Sequence, residues 1–181
     1  LEKLKKELEE LKKRAELAKE MGGIERVAKH YSRGRLTVRE RIDKLLDKET
    51  FHETGEITGK VTYDEEGEIK EFTPANFIFG RGTVDGREVV VAGDDFTVRG
   101  GAADARIGNK SLYSLKLAEH LRLPLVNLVD GSGGGGSVKT LETMGATYVP
   151  GLPSWQNIVR LLSMVPVVGA CMGSVAGLGS A

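Results

Sequence analysis

From Arg87 onward the sequence alternates short apolar runs with helix-length stretches, and no other feature constrains the fold as much. Residues 87–91, 123–129 and 167–171 read as strands. A helix from about Ala103 to Leu121 lies between the first two, and another around Ser154 to Ser163 between the last two. Strands joined through helices cannot pair by a tight turn, so they lie parallel and the connecting helices cover the sheet. The spacing therefore predicts an α/β protein with a largely parallel sheet. The run 167–171 should be a buried strand. A glycine turn follows it with no covering helix, so the sequence is expected to be a truncated piece.

Upstream the pattern is different. Residues 61–63 and 69–72 flank the acidic loop Asp64-Glu65-Glu66-Gly67, and residues 77–84 and 87–91 flank Asp85-Gly86, a strong two-residue hairpin signal. Leu1, Leu4, Leu8, Leu11, Ala15 and Ala18 recur at alternating steps of three and four, predicting a long amphipathic helix ended by Gly22-Gly23. Fewer than three heptads is short for an autonomous coiled coil, so this helix should pack on its own domain or on a partner subunit. A second helix starts at Thr37, where Glu40 completes a capping box and Ile42, Leu45 and Leu46 supply a buried stripe. A helical segment, 1–50, thus precedes an α/β domain, 51–181.

Composition excludes several classes of function. Lys and Arg balance Asp and Glu at zero formal charge, which gives no bulk attraction to nucleic acid or to an anionic membrane. The longest apolar runs are too short to span a bilayer, and the first twenty residues are too charged for a secretory signal. The single cysteine, Cys171, allows no internal disulfide and has apolar neighbours, so a buried inert thiol in a reducing, cytoplasmic compartment is expected.

The side-chain inventory for catalysis is sparse. His30, His52 and His120 have no metal-ligand spacing, and there is no Gly-x-Ser-x-Gly elbow, Walker sequence, Cys-x-x-Cys pair or His-Glu-x-x-His. What remains is backbone. Asp130-Gly131-Ser132-Gly133-Gly134-Gly135-Gly136 and the stretch 173–179 follow consecutive strands, where unpaired N–H groups can converge into an oxyanion hole. Tight structural turns are the plainer reading of either one alone.

Four ordered segments carry a family resemblance. The stretch 34–47, Gly-Arg-Leu-Thr-Val-Arg-Glu-Arg-Ile-Asp-Lys-Leu-Leu-Asp, resembles the opening signature of the carboxyltransferase β subunits of propionyl-CoA, methylcrotonyl-CoA, acetyl-CoA and geranyl-CoA carboxylases and related decarboxylases. Asp94 to Gly101 resembles that family's Asp-x-Thr-Val-x-Gly-Gly segment. Leu123 to Asp130 resembles the strand before its Asp-Ser-Gly-Gly motif, and Val167 to Gly177 the strand and turn ending in Ala-Gly-Gly.

The resemblance implies a crotonase-like spiral of ββα units, of which this chain would hold most of the N-terminal half of a carboxyltransferase. It implies transfer of CO2 from carboxybiotin, carried by a partner, to the α-carbon of an acyl-CoA through a thioester enolate held by backbone amides. Gly177 and Leu178 match the Gly-Gly pair of the oxyanion hole, with Leu in place of the second glycine. Phe96, Thr97, Val98, Gly100 and Gly101 match the segment next to the CoA site. Ser132, Gly133 and Gly134 match Ser-Gly-Gly, with Gly131 as an insertion. Arg33, Arg35, Arg39 and Arg41 could meet CoA phosphates or form a solvated or subunit-facing surface. Phe96 and Trp155 could stack on adenine or pack in the core. Implied partners are acyl-CoA, a biotin carboxylase with its biotin carboxyl carrier, and further copies in a homo-oligomer, a hexamer in the full-length family; no metal is implied. The compartment would be cytoplasmic, or the mitochondrial matrix in a eukaryote, and the piece alone should lack turnover. A CoA-thioester decarboxylase, a hydratase-like crotonase and a catalytically silent assembly element are the alternatives.

Overall fold

The computed structural model describes residues 2–102, 107–131, 138–147 and 154–175. Three helices come first: α1 (Glu2–Lys19), α2 (Ile24–Tyr31) and α3 (Val38–Leu45). Strands β1 (His52–Glu53), β2 (Gly59–Tyr63), β3 (Ile69–Pro74), β4 (Phe77–Val84) and β5 (Arg87–Asp94) follow, then a 3-10 turn, Arg99–Gly101. The remainder runs α4 (Lys110–Leu121), β6 (Leu125–Val129), α5 (Val138–Met144), α6 (Trp155–Leu162) and β7 (Val167–Cys171).

Five strands form one sheet in the order β1-β4-β5-β6-β7, and β2 and β3 form a separate hairpin. Among the described residues, parallel pairing is confined to β5, β6 and β7, with Val90 opposite Leu125 and Leu125 opposite Val167. β4 is antiparallel to β5 because only Asp85 and Gly86 join them; φ values of 49° and 75° give the mirror-image turn that suits strand twist. β1 is antiparallel to β4. The sheet is therefore mixed, not largely parallel.

Alternating side chains divide between two cores, as the period of two in a strand requires. Phe77, Phe79, Val90, Ala92 and Leu125 face Leu115 and Ala118 of α4 and Leu161 of α6. Ile78, Val89, Val91 and Leu128 face Val38, Ile42 and Leu46 at α3. Ile42 is fully buried, and burying such a side chain contributes about 1.5–3 kcal/mol. Thr37 caps α3: its Oγ1 accepts from Glu40 N at 3.3 Å, and Thr37 N donates to Glu40 Oε2 at 2.8 Å. The box anticipated from the sequence is present.

Several expectations need correction. α4 begins at Lys110, not near Ala103, because Gly108 adopts φ 68° in a turn just before it; residues 103–106 lie outside the described set. α2 and α5 were not anticipated. β7 is half-exposed, since β6 pairs with only one of its edges and no described element covers much of its surface; Cys171 is exposed with it, not buried. Along α1, Leu4, Leu8 and Leu11 are about half exposed, whereas Ala18 is buried and the helix packs on β3. Among the described residues, the C-terminal end of the seam is the part that finds cover. Tyr63 fastens that half, donating to Glu10 Oε1 at 2.7 Å and accepting from Arg14.

Candidate active site

The site region lies where β5, β6 and β7 end. Beyond β5, Asp95 Oδ1 accepts from Thr97 N at 2.9 Å and Thr97 Oγ1 at 2.5 Å, an Asx turn that bends the chain sharply. Thr97 Oγ1 in turn accepts from Gly22 N at 2.9 Å. A Cβ on Gly22 would stand 2.1 Å from Thr97 O, so the joint between α1 and α2 seats directly on this turn. Burial raises the Asp95 carboxyl above its ordinary range; the two Thr97 hydrogen bonds and the charges of Arg39 and His30 oppose that shift. Arg99, Gly100 and Gly101 then take φ values of 51°, 65° and 63° in succession.

Asp130, the residue after β6, is the hub. It is 0% exposed, and its Oδ2 accepts from Arg41 Nη1 at 2.6 Å, an ion pair whose arginine side chain is 5% exposed. Among the described residues Oδ1 has no hydrogen-bond partner, and it sits 3.8 Å from Arg35 Nη1. Asp130 N donates to Asp94 Oδ2 at 3.2 Å, tying the end of β6 to the end of β5. Three glycines pack tightly here, of which Gly173 meets the carboxylate itself and Gly101 and Gly131 meet each other's main chain. A Cβ on Gly131 would lie 2.3 Å from Gly101 O, one on Gly101 would lie 3.0 Å from Asp130 O, and one on Gly173 would lie 2.0 Å from Asp130 Oδ1. Gly131 is thus glycine because two backbones meet there with no room for a side chain.

Of the residues singled out in the sequence, Phe96, Thr97 and Gly100 line one pocket, whereas Val98 lines a neighbouring one and Gly101 is buried against Asp130. Ser132, Gly133, Gly134, Gly177 and Leu178 lie outside the described residues. The four arginines separate by role. Arg39 pairs with Glu53 at 2.7 Å and Arg41 with Asp130, so both are internal struts. Arg35 stands 5.6 Å over the Phe96 ring, and Arg33 lines the pocket. Trp155 is about half exposed, not packed in the core.

Sequence reasoning missed a second buried charge cluster. Lys110 Nζ reaches Glu53 Oε1 at 3.3 Å and Gly55 O at 3.1 Å beside the Arg39–Glu53 pair. Burial lowers the Lys110 pKa, although Glu53 pulls it back up. Among the described residues, no group of three or more His, Cys, Asp or Glu side chains could hold a metal ion, and no helix is long and apolar enough to cross a membrane.

A mixed sheet with helices on both faces, and glycine turns packed closely where three parallel strands end, makes this a crotonase-like α/β fold. The chain belongs to the carboxyl transferase domain family, whose profile matches residues 29–180. It is 30% identical over 172 residues to the propionyl-CoA carboxylase carboxyltransferase subunit of Haloferax mediterranei, covering 94% of this chain and 32% of that protein. It is also 30% identical over 156 residues to the methylmalonyl-CoA decarboxylase subunit alpha of Veillonella parvula, covering 86% and 30%. Among solved structures it resembles transcarboxylase 12S with methylmalonyl-coenzyme A and methylmalonic acid bound, at a TM-score of 0.69 and 28% identity, over 96% of this chain and 32% of that one. The chain spans about a third of the length of these relatives.

Proposed function

We propose that this chain is part of the carboxyltransferase component of a biotin-dependent acyl-CoA carboxylase, and that its share of the work is to bind the acyl-CoA and hold a thioester enolate with main-chain N–H groups. The observation that carries the reading is the close glycine packing where β5, β6 and β7 end. At Gly131 and Gly173 the backbone comes so close to its neighbours that no Cβ fits, and Gly173 stands four residues before Gly177 in the sequence.

Such a site asks for amides rather than for an acid, a base or a nucleophile among side chains, in keeping with the sparse inventory around it. When bound, carboxybiotin on a carrier protein would supply the CO2, and the ureido nitrogen of the biotin left behind would accept the α-proton. The chain's own part is to steady the negative thioester oxygen, with Gly177 N and Leu178 N as donors contributing about 3–4 kcal/mol each. Phe96, Thr97, Val98, Gly100 and Gly101, together with Ser132, Gly133 and Gly134, would flank the CoA. The biotin carboxylase, its carrier and further copies of the subunit are the partners this reading requires.

The test is incorporation of radiolabelled bicarbonate into propionyl-CoA by the full-length parent, assayed with its biotinylated carrier and carboxylase. Gly177→Pro, which deletes one N–H, should abolish incorporation while acyl-CoA still binds; full activity in that variant would remove the oxyanion proposal. The decarboxylase relative favours a second reading, in which the same enolate is reached by loss of CO2. Release of propionyl-CoA from methylmalonyl-CoA, without net carboxylation, would select it.

A further inference from the structure

Enolate binding by main-chain amides leaves the buried cluster around Lys110 without a role, yet this cluster ties α3, β1, the loop after β1 and the start of α4 together. Glu53 in β1 holds two cations at once. Its Oε2 accepts from Arg39 Nη1 at 2.7 Å and its Oε1 from Lys110 Nζ at 3.3 Å. The Glu53 and Lys110 side chains are 8% and 6% exposed. Lys110 Nζ also donates to Gly55 O at 3.1 Å. Asp95 and Glu56 complete the group, sharing with Arg39, Glu53 and Lys110 a cavity of about 10 Å³. That is the space of a single water, so the cluster is not a ligand site.

Neither helix formation nor stability accounts for a lysine here. Lys110 is the first residue of α4, where a cation opposes the helix dipole, and Asn109 before it makes no side-chain cap hydrogen bond among the described residues. Buried ion pairs can often be exchanged for apolar residues of like volume with no loss of stability. What the cluster does specify is where the chain leaves the sheet after β5 and where it returns. Asp95 stands at the head of the turn that carries Phe96 to Gly101, its N–H donating to Asn76 O at 3.0 Å. Burial raises the Asp95 pKa; behind its Thr97 hydrogen bonds, the charge of Arg39 pulls it back down, so Arg39 acts on this end. Lys110 stands at the other end, where α4 begins. Gly108 rests on the loop after β1, since a Cβ there would lie 3.2 Å from Thr58 Cγ2. Both ends are thus fastened to α3 and β1 through one carboxylate, that of Glu53.

We infer that Glu53 and Lys110 are positioning residues: through Arg39 and Asp95 they set the place of the turn from Phe96 to Gly101, and with it the affinity for acyl-CoA, without touching the ligand. The inference rests on the acyl-CoA reading above and assigns a role to two buried side chains which that reading does not use.

The test uses the full-length parent. Propionyl-CoA is titrated calorimetrically into the subunit, and its KM and kcat are read from bicarbonate incorporation with the biotinylated carrier and carboxylase present. Lys110→Met leaves Arg39 and Glu53 as a balanced pair and should fold. It should weaken propionyl-CoA binding and raise its KM roughly tenfold, with kcat within about twofold of wild type. Lys110→Arg, which keeps a donor for Glu53, should recover most of the affinity. Amide exchange in Lys110→Met should speed at residues 96–101 more than at 125–129. A folding defect alone would lower the active fraction, and so kcat, while KM and the dissociation constant stayed put; that pattern overturns the inference. Lys110→Met binding propionyl-CoA as tightly as wild type also overturns it, yet leaves the acyl-CoA reading standing. Wild type that binds no acyl-CoA refutes the reading, and the inference falls with it. Should Lys110→Met not fold, Glu53→Asp takes its place, keeping every charge but withdrawing the carboxylate by one methylene. Weakened binding is expected there too, and binding as tight as wild type overturns the inference.

Discussion

Replacing Asp130 by Asn keeps the shape of the side chain and deletes its charge. Arg41 Nη1 is 2.6 Å from Oδ2, and that guanidinium is almost wholly out of water, so it cannot turn to solvent when its counter-charge goes. Breaking a buried pair by removing one partner costs about 3–5 kcal/mol, mostly the penalty of the ion left behind. In a chain of this size each kcal/mol moves the thermal midpoint by roughly 2–4 °C, so Asp130→Asn should lower it by roughly 6–20 °C. Arg41→Met should be milder, because Asp130 retains Arg35 at 3.8 Å. The double variant Asp130→Asn/Arg41→Met leaves neither of these two charges buried and should lose less than the sum of the singles by about 2 kcal/mol or more. Urea denaturation followed by circular dichroism measures all three, with an unchanged m-value confirming that stability and not compactness has shifted. If Asp130→Asn costs under about 1 kcal/mol, or the two substitutions add to within about 0.5 kcal/mol, Asp130 is not the electrostatic hub of this region.

Three further outcomes follow from the same geometry. Thr37→Ala removes the acceptor for Glu40 N and should cost about 1 kcal/mol in the same denaturation assay, with Thr37→Ser recovering most of it. Gly22→Ala would press a Cβ to 2.1 Å from Thr97 O; it should destabilise the chain and speed amide hydrogen exchange in the 94–101 turn more than elsewhere. Lys110 has a folded-state pKa below its ordinary 10.5, so the folded chain releases that proton first as pH rises. Between the lowered value and 10.5 the unfolded chain binds more protons, and wild type should gain stability over Lys110→Met with increasing pH across that window. A flat difference across it would refute the burial assignment.

Local chemistry was the legible part of this sequence. The Thr37–Glu40 box and the Asp85-Gly86 turn are each set by residues that are close neighbours along the chain, and both are where the residues said they would be. Helix α2 carries the helical spacing, with Ile24, Val27, Ala28 and Tyr31 at i, i+3, i+4 and i+7, but one short stripe between two glycine turns is a weak signal; in the fold Ile24 is 87% exposed and the buried residue is His30. The glycines at 131 and 173 drew attention as glycines, but what they pack against could not be inferred. Gly131 meets Gly101, and Gly173 meets the Asp130 side chain, only once three strands are in register. Pocket-lining Arg26 and Lys29 were overlooked because the signature segment directed attention to Arg35, Arg39 and Arg41, of which the last two are spent inside the protein. The exposure of β7 and Cys171 was misjudged because an apolar run does not say how many of its faces are covered.

The Arg41–Asp130 pair spans 89 positions of sequence, which bears on how the chain is made. A ribosome adding about 5–20 residues each second presents the guanidinium several seconds before the carboxylate exists. Through that interval helix α3 carries a solvated cation on the side that must later turn inward. The α3 side of the sheet therefore cannot seal until β6 has been synthesised, so desolvation of this pair should mark a late step in maturation rather than its nucleus.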